Sequence, residues 1–114
     1  MSPQEDFPKF VRALPEIKLP YPKTRGWLLQ GQGQQIVFME FQETVEVPRH
    51  SHAEQWEFVV SGKVELRTKG KSSVYRAGDR FFIDANVPHE ATLHAGYRAV
   101  VIFNSPDRFK IKMP

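Results

Sequence analysis

Histidines are the residues of this chain whose type and spacing could do chemistry. His50 and His52 lie one residue apart in the stretch HSHAEQWEFVVSG. On a β-strand, residues i and i+2 face the same side and are separated by about 6.6 Å along the chain. Two imidazoles at that separation can bind one ion, each with an N–metal distance of about 2.0–2.1 Å. The pair therefore predicts part of a metal site at or near the end of a strand.

A third histidine, His89, offers a ligand from a different segment. Pro88 precedes it and favours extended backbone, so His89 is expected to begin a new strand. A single strand cannot surround an ion, and a site inside a β-barrel needs such a second segment. His94 lies five residues further on. On a regular strand it points to the opposite face, and we predict a surface residue.

The chain has no cysteine, so any metal must use nitrogen or oxygen ligands. Neutral imidazoles leave a divalent ion its full charge, which favours an anionic, oxygen-rich ligand and Lewis-acid chemistry. The expected cofactor is one divalent transition metal ion. Zn, Ni, Fe, Mn and Co all fit this donor set, and the sequence does not rank them.

The elements that must position these side chains are short and β-rich. Runs of four to eight residues rich in Val, Ile, Phe, Tyr and Thr alternate with turns, and glycine turns are predicted at 61–63, 69–73 and 94–97. This pattern is typical of an antiparallel sandwich or small barrel. We predict one domain over 1–114, with a short helix and arm at 1–25, a barrel at 26–105 and a C-terminal strand at 106–114.

Charge and composition limit the expected partners. The net charge of +3 is spread along the chain and is not concentrated on one segment, which argues against nucleic-acid binding. The first residues do not resemble a signal peptide, and no apolar run is long enough to span a membrane. We expect a cytoplasmic protein that binds a small molecule and neither nucleic acid nor a membrane.

Two motifs around these histidines resemble those of the cupin superfamily, in particular small single-domain cupins. The first, G-x5-H-x-H-x3,4-E-x6-G, is matched by His50, His52 and Gly62, with Thr44 at its first glycine. The second, G-x5-P-x-G-x2-H-x3-N, matches at two positions and departs at three. The matches are Gly78 and His89, and the departures are Asp84, Asn86 and Leu93. The resemblance covers roughly residues 36–104, and none of the departures removes a histidine.

This resemblance implies an all-β fold, the antiparallel double-stranded β-helix or jelly-roll barrel, with a short N-terminal helix. It also implies a fourth metal ligand, whose identity depends on how the motif is counted. Counting forward from His52 gives Glu57, and counting back from Gly62 gives Gln55. We favour Gln55, because the turn at Gly62 determines the register of the strand before it. Cupins that linearise unsaturated uronates from pectin use a similar His, His, Gln, His set.

Glu57 then follows at i+2 on the same inward face as Gln55, where it is expected to act as an acid or base beside the metal pocket. Glu54 faces outwards and is expected to be solvated. Small cupins include enzymes and non-enzymatic binding proteins, and the fold alone does not choose between them. We expect a metal-dependent enzyme acting on a small oxygenated substrate, such as a sugar acid or carboxylate. The alternative is a non-catalytic protein whose metal organises a ligand pocket.

Single-domain cupins are commonly dimers, so a homodimer is also expected. Interface contacts are predicted for the segments KLPYPKTRGWLLQ and RFKIK. Trp27, Trp56 and Phe109 fit either such an interface or the core of one chain.

Overall fold

The fold consists of nine strands and one short helix in the part of the chain that the structure, a computed structural model, describes, residues 6–113. The helix α1 spans Lys9–Arg12. The strands are β1 Thr24–Gln30, β2 Gln35–Phe41, β3 Val45–His50, β4 Gln55–Ser61, β5 Lys63–Thr68, β6 Lys71–Arg76, β7 Arg80–Ile83, β8 His89–Leu93 and β9 Arg98–Phe103.

The strands form two antiparallel sheets that face each other. One has five strands in the order β1-β2-β9-β4-β7, and the other has four in the order β3-β8-β5-β6. Each sheet also pairs strands that are distant in sequence, as β9 between β2 and β4 illustrates. The predicted all-β double-stranded β-helix, or jelly roll, with a short N-terminal helix is confirmed.

Two positions of the motifs, Gly62 and Asn86, lie in turns where the backbone has a positive φ. Gly62 joins β4 to β5 with φ +73°, and a Cβ there would lie 2.8 Å from the Cα of Tyr97. Asn86 also has a positive φ, of +64°. Asparagine tolerates this left-handed region better than most residues, so it can replace the glycine of the second motif.

The barrel interior is built from layers of inward-facing side chains. On the four-stranded sheet, His89 pairs with His50, and the next inward pair is Ala91 with Val47. On the opposite sheet, β9 lies between β2 and β4, and its inward side chains are buried. Successive inward pairs there are Phe103 with Gln55, Val101 with Glu57, and Ala99 with Val59.

The N-terminal segment forms a second, smaller core on the outer face of the five-stranded sheet. Phe7 and Val11 are buried there against Trp27, which is 1% exposed. The Phe7 ring meets Trp27 edge-on, with ring centroids 6.2 Å apart. Phe10, on the same single-turn helix, is 77% exposed.

The C-terminal tail differs from the predicted strand at 106–114. In the tail up to residue 113, regular pairing is reduced to one bridge, between Ile111 and Ile17. The Lys112 ammonium donates to Glu16 at 2.9 Å, and the amide of Lys18 donates to the carbonyl of Lys110. The two segments expected at a subunit interface therefore bind each other within one chain. The predictions for residues 1–5 and 114 lie outside the described residues.

Across residues 6–113, no helix has the length and the apolar character needed to cross a lipid bilayer.

Candidate metal centre

A β-bulge turns His50 into the barrel. Between Val47 and His50 the register of β3 against β8 shifts, so that three steps on β3 match two on β8. Pro48 lies within the bulge, where its missing N–H costs no ladder hydrogen bond. Without the bulge, strict alternation after Val47 would point Arg49 inwards and His50 outwards.

His50, His52 and His89 converge at one end of the barrel. One ring nitrogen from each lies within 4.8 Å of those of the other two. The ring centroids are 4.3 Å apart for His50 and His89, 4.8 Å for His52 and His89, and 5.0 Å for His50 and His52. Nitrogens that bind one tetrahedral ion at about 2.0–2.1 Å lie roughly 3.4 Å apart. Side-chain rotations that move the ring nitrogens by about 1 Å are therefore enough to reach this geometry. This histidine cluster can hold a metal ion.

The backbone selects the ring nitrogen that each histidine offers. The Nδ1 atoms of His50, His52 and His89 lie 2.8, 2.7 and 2.9 Å from the carbonyl oxygens of Pro48, Ala53 and Val87. A carbonyl oxygen only accepts hydrogen bonds, so each Nδ1 must carry the proton and donate. All three Nε2 lone pairs are therefore free for a metal, and the backbone fixes the orientation of each ring.

The electrostatics of the cluster favour neutral imidazoles. Burial lowers the pKa of His52 to about 4, with a smaller lowering by the charge of Arg108. Burial also lowers the pKa of His89. Neutral imidazole is the form that binds metals, so the cluster is ready to do so at neutral pH.

Gln55 begins β4 and lines the same cavity as the three histidines. Its Nε2 donates a hydrogen bond of 2.7 Å to Glu57 Oε1. The Tyr97 hydroxyl donates to the other oxygen of Glu57. Because the amide nitrogen is directed at Glu57, the amide oxygen of Gln55 points away from it and is available as a ligand.

Glu57 is 6% exposed and lies inside the cavity wall. Burial raises its pKa to about 7, against the opposing effect of the hydrogen bonds from Tyr97 and Gln55. Burial and the adjacent Glu57 raise the pKa of Tyr97, so the hydroxyl keeps its proton. The carboxyl of Glu57 can therefore exchange a proton near neutral pH.

The pH dependence of stability tests this environment. The folded pKa of about 7 lies above the ordinary value of 4.5, so Glu57 favours folding below pH 4.5 and loses that contribution as pH rises through 7. Glu57→Gln cannot ionise at this position. We expect the unfolding free energy of the metal-free variant to rise by about 2–3 kcal/mol relative to that of wild type when the pH is raised from 5 to 8. Urea denaturation at both pH values measures this difference. The exposed control Glu43→Gln should show the same change of unfolding free energy with pH as wild type. The same change in Glu57→Gln would refute the raised pKa of Glu57.

His94 and Glu54 lie outside the histidine cluster. His94 Nε2 is 2.8 Å from Glu65 Oε2, and its side chain is 30% exposed. Glu54 is half-buried, and its carboxylate accepts a hydrogen bond of 2.8 Å from Asn104. It is therefore more ordered than a fully solvated residue would be.

Tyr97 and Arg108 are two polar residues of the cavity that the sequence did not predict. Arg108 lies over the rings of Phe103 and Phe109, with its guanidinium carbon 5.6 and 4.8 Å from their centroids. Burial against these rings lowers its pKa. Neither residue has a spacing relation to the histidines, so no sequence signal could have placed them here.

Comparisons with known proteins agree with this architecture. The chain is similar to an RmlC-like cupin from Shewanella frigidimarina, with 28% identity, a TM-score of 0.70, and coverage of 82% of this chain and 86% of that one. It is also similar in fold to KdgF from Halomonas sp., with 21% identity, a TM-score of 0.68, and coverage of 81% and 86%. A cupin superfamily protein from Desulfitobacterium hafniense has 13% identity, a TM-score of 0.67, and coverage of 78% and 84%.

No curated protein matches the chain in sequence. The family model of the cupin domain (Cupin_2) matches residues 36–103, which include the bulge, the three histidines and all strands of the barrel after β1. The chain belongs to the cupin family.

Proposed function

We propose that this cupin binds one divalent transition metal ion through His50, His52, His89 and Gln55 and acts on a small oxygenated substrate. The sugar-acid or carboxylate class is expected, because three imidazoles and an amide leave the charge of the ion unneutralised. The observation that carries the proposal is the fixed tautomer of all three histidines, whose Nδ1 atoms donate to backbone carbonyls. When bound, such an ion supplies Lewis acidity to a carbonyl or hydroxyl oxygen.

The chain's own residues supply the remaining parts of this proposal. Glu57 takes up or returns a proton at its carboxyl group, beside the position where the substrate oxygen would bind. Tyr97 holds one carboxyl oxygen of Glu57, and Gln55 holds the other. The apolar walls around these groups exclude water, which strengthens the electrostatic interactions between them.

One observation favours a second candidate, a non-catalytic binding protein. Both carboxyl oxygens of Glu57 already accept a hydrogen bond from within the barrel. A carboxyl group that is held in this way can serve to orient Gln55 and take no part in proton transfer. In that case the metal organises a ligand pocket and no substrate is turned over.

Metal titration of two variants tests the ligand set and separates it from the role of Glu57. Gln55→Ala is expected to weaken Zn²⁺ binding about tenfold, less than the loss of a histidine, because an amide oxygen is a weaker ligand for Zn²⁺ than imidazole. Glu57→Gln keeps a hydrogen-bond acceptor for Gln55 and should bind Zn²⁺ within about threefold of wild type, whereas its turnover of an active substrate should fall about 10²- to 10⁴-fold. Full turnover by Glu57→Gln would favour the binding protein, and unchanged Zn²⁺ affinity of Gln55→Ala would remove Gln55 from the ligand set.

A homodimer is also proposed, formed with a second copy of this chain. Support comes from the outer face of the five-stranded sheet, where Trp56 pairs with Phe82 across β4 and the edge strand β7. These side chains are 37% and 52% exposed. Sedimentation velocity at micromolar concentration should give a dimer that Trp56→Glu converts to monomer. A monomer in the wild-type protein would contradict the proposal. The cytoplasmic location and the uronate-type substrate stay predictions.

A further inference from the structure

The cavity of the barrel divides into a polar end and an apolar body. It has a volume of about 200 Å³. Most of its polar groups gather around the three histidines, where Gln55 and Arg108 also lie. Arg108 and His52 both pack on the ring of Phe103, at 5.6 and 5.5 Å from its centroid. Any ligand that reaches a metal at this end must place its oxygen atoms here.

Beyond the histidines, the wall formed by β3, β8 and β5 is entirely apolar. The inward pair after His50 and His89 is Val47 with Ala91, and the next is Val45 with Leu93. From His89 to Leu93 this wall extends about 13 Å. No inward side chain among these apolar pairs offers a hydrogen bond to a ligand hydroxyl.

The opposite wall carries two polar side chains below the first layer, Glu57 and Tyr97, and they are bonded to each other. Glu57 accepts from Gln55 and from Tyr97, and the Tyr97 hydroxyl is used in that bond. The neighbours of Glu57 in this wall are Val101 and Phe81. A ligand hydroxyl group could reach only the remaining lone pairs of Glu57. The other hydroxyl groups of a polyhydroxylated ligand would be buried without partners, which is costly.

The cavity volume limits the size of the ligand. A water molecule in the liquid takes up about 30 Å³, so 200 Å³ corresponds to about seven waters. Pockets for drug-sized ligands are larger, at about 300–1,000 Å³. A ligand with about seven to ten non-hydrogen atoms fits.

We propose that the ligand of this site is a small carboxylate or hydroxycarboxylate with an unbranched or cyclic apolar body, and that a polyhydroxylated sugar acid is disfavoured. This inference rests on the proposed metal site, which receives the oxygen atoms of the head group. The apolar body of the ligand lies between the wall formed by β3, β8 and β5, which includes Ala91, and the opposite wall, which includes Val101. The inference narrows the substrate class of the proposed function, sugar acids or carboxylates, to the carboxylates.

Calorimetric titration of the Zn²⁺-loaded protein tests the proposal with three acids that share one head group. Glycolate is the head group alone, while 2-hydroxyhexanoate and threonate add an alkyl and a polyol body of matched size. Zn²⁺ loading is measured first and metal content is checked afterwards. Each buried methylene should strengthen binding about threefold, so 2-hydroxyhexanoate should bind at least tenfold more tightly than glycolate or threonate.

Variants of the apolar wall locate the effect. Ala91→Leu fills the cavity and should weaken 2-hydroxyhexanoate binding at least tenfold while glycolate binding stays within about twofold. Ala95→Leu adds the same atoms at an exposed turn and should leave both affinities unchanged. If Ala91→Leu does not fold, Val47→Ala enlarges the cavity and should shift the preference to 2-hydroxyoctanoate.

Two results would overturn the inference, and they are distinguishable. Threonate binding as tightly as 2-hydroxyhexanoate to a fully Zn²⁺-loaded protein refutes the apolar body and leaves the metal site intact. Failure to load Zn²⁺ refutes the proposed function and this inference with it.

Discussion

The His50→Ala variant is expected to lose Zn²⁺ affinity by at least about 100-fold. His50 supplies one of three histidine ligands, and the loss of a first ligand should exceed the 10- to 100-fold effect that groups hydrogen-bonded to ligands usually have. Its half-buried position at the end of β3 means that the substitution removes little of the core. Competition with a chromophoric chelator at pH 7.5 measures the affinity, and circular dichroism checks the fold.

His94→Ala is the matched control for this experiment. His94 belongs to the same strand region as His89 but pairs with Glu65. Its loss should leave Zn²⁺ affinity within about twofold of wild type, since it lies outside the cluster that can hold a metal. An equal loss of Zn²⁺ affinity in both variants would mean that Zn²⁺ binds to the histidines of this chain without a specific site.

The Trp27→Ala variant is expected to lose about 3–5 kcal/mol of unfolding free energy. Trp27 is 1% exposed and forms the centre of the smaller core, where it contacts Phe7 and the helix segment around Val11. Its removal leaves a cavity and detaches the N-terminal segment from the outer face of the five-stranded sheet. Urea denaturation followed by circular dichroism measures the loss.

Leu29→Ala provides the control, because Leu29 is 49% exposed on the same sheet, at the edge opposite the proposed dimer surface. It should cost less than about 1.5 kcal/mol at a fixed protein concentration. Zn²⁺ affinity should survive in folded Trp27→Ala, since Trp27 lies on the face of the sheet away from the cavity. A loss below 1 kcal/mol would show that the N-terminal segment does not stabilise the barrel through Trp27.

The β-barrel could be predicted because its local signals agree. Glycines at the predicted hairpins, Gly62, Gly70 and Gly96, all have positive φ. In β5 the apolar Val64 and Leu66 alternate with charged residues, and both are buried. Such signals depend on neighbouring residues, which the sequence displays directly.

The cavity could be predicted only in part, because several of its contacts are long-range. The spacing of His50 and His52 suggested a shared face, but the bulge that turns His50 inwards depends on pairing with β8. The bond from Tyr97 to Glu57 joins residues 40 positions apart. Of the predicted strand at 106–114, the described residues form one β-bridge, between Ile111 and Ile17, and the position of Ile17 depends on the folded N-terminal arm.

X-ray absorption spectroscopy of the Zn²⁺-loaded protein tests the central claim most directly. The metal centre proposed here predicts one ion per chain with three imidazole nitrogens and an additional oxygen ligand. Substitution of His50, His52 and His89 together by alanine should remove the bound ion. A spectrum with fewer than three imidazoles, or one that is unchanged in the triple variant, would contradict it.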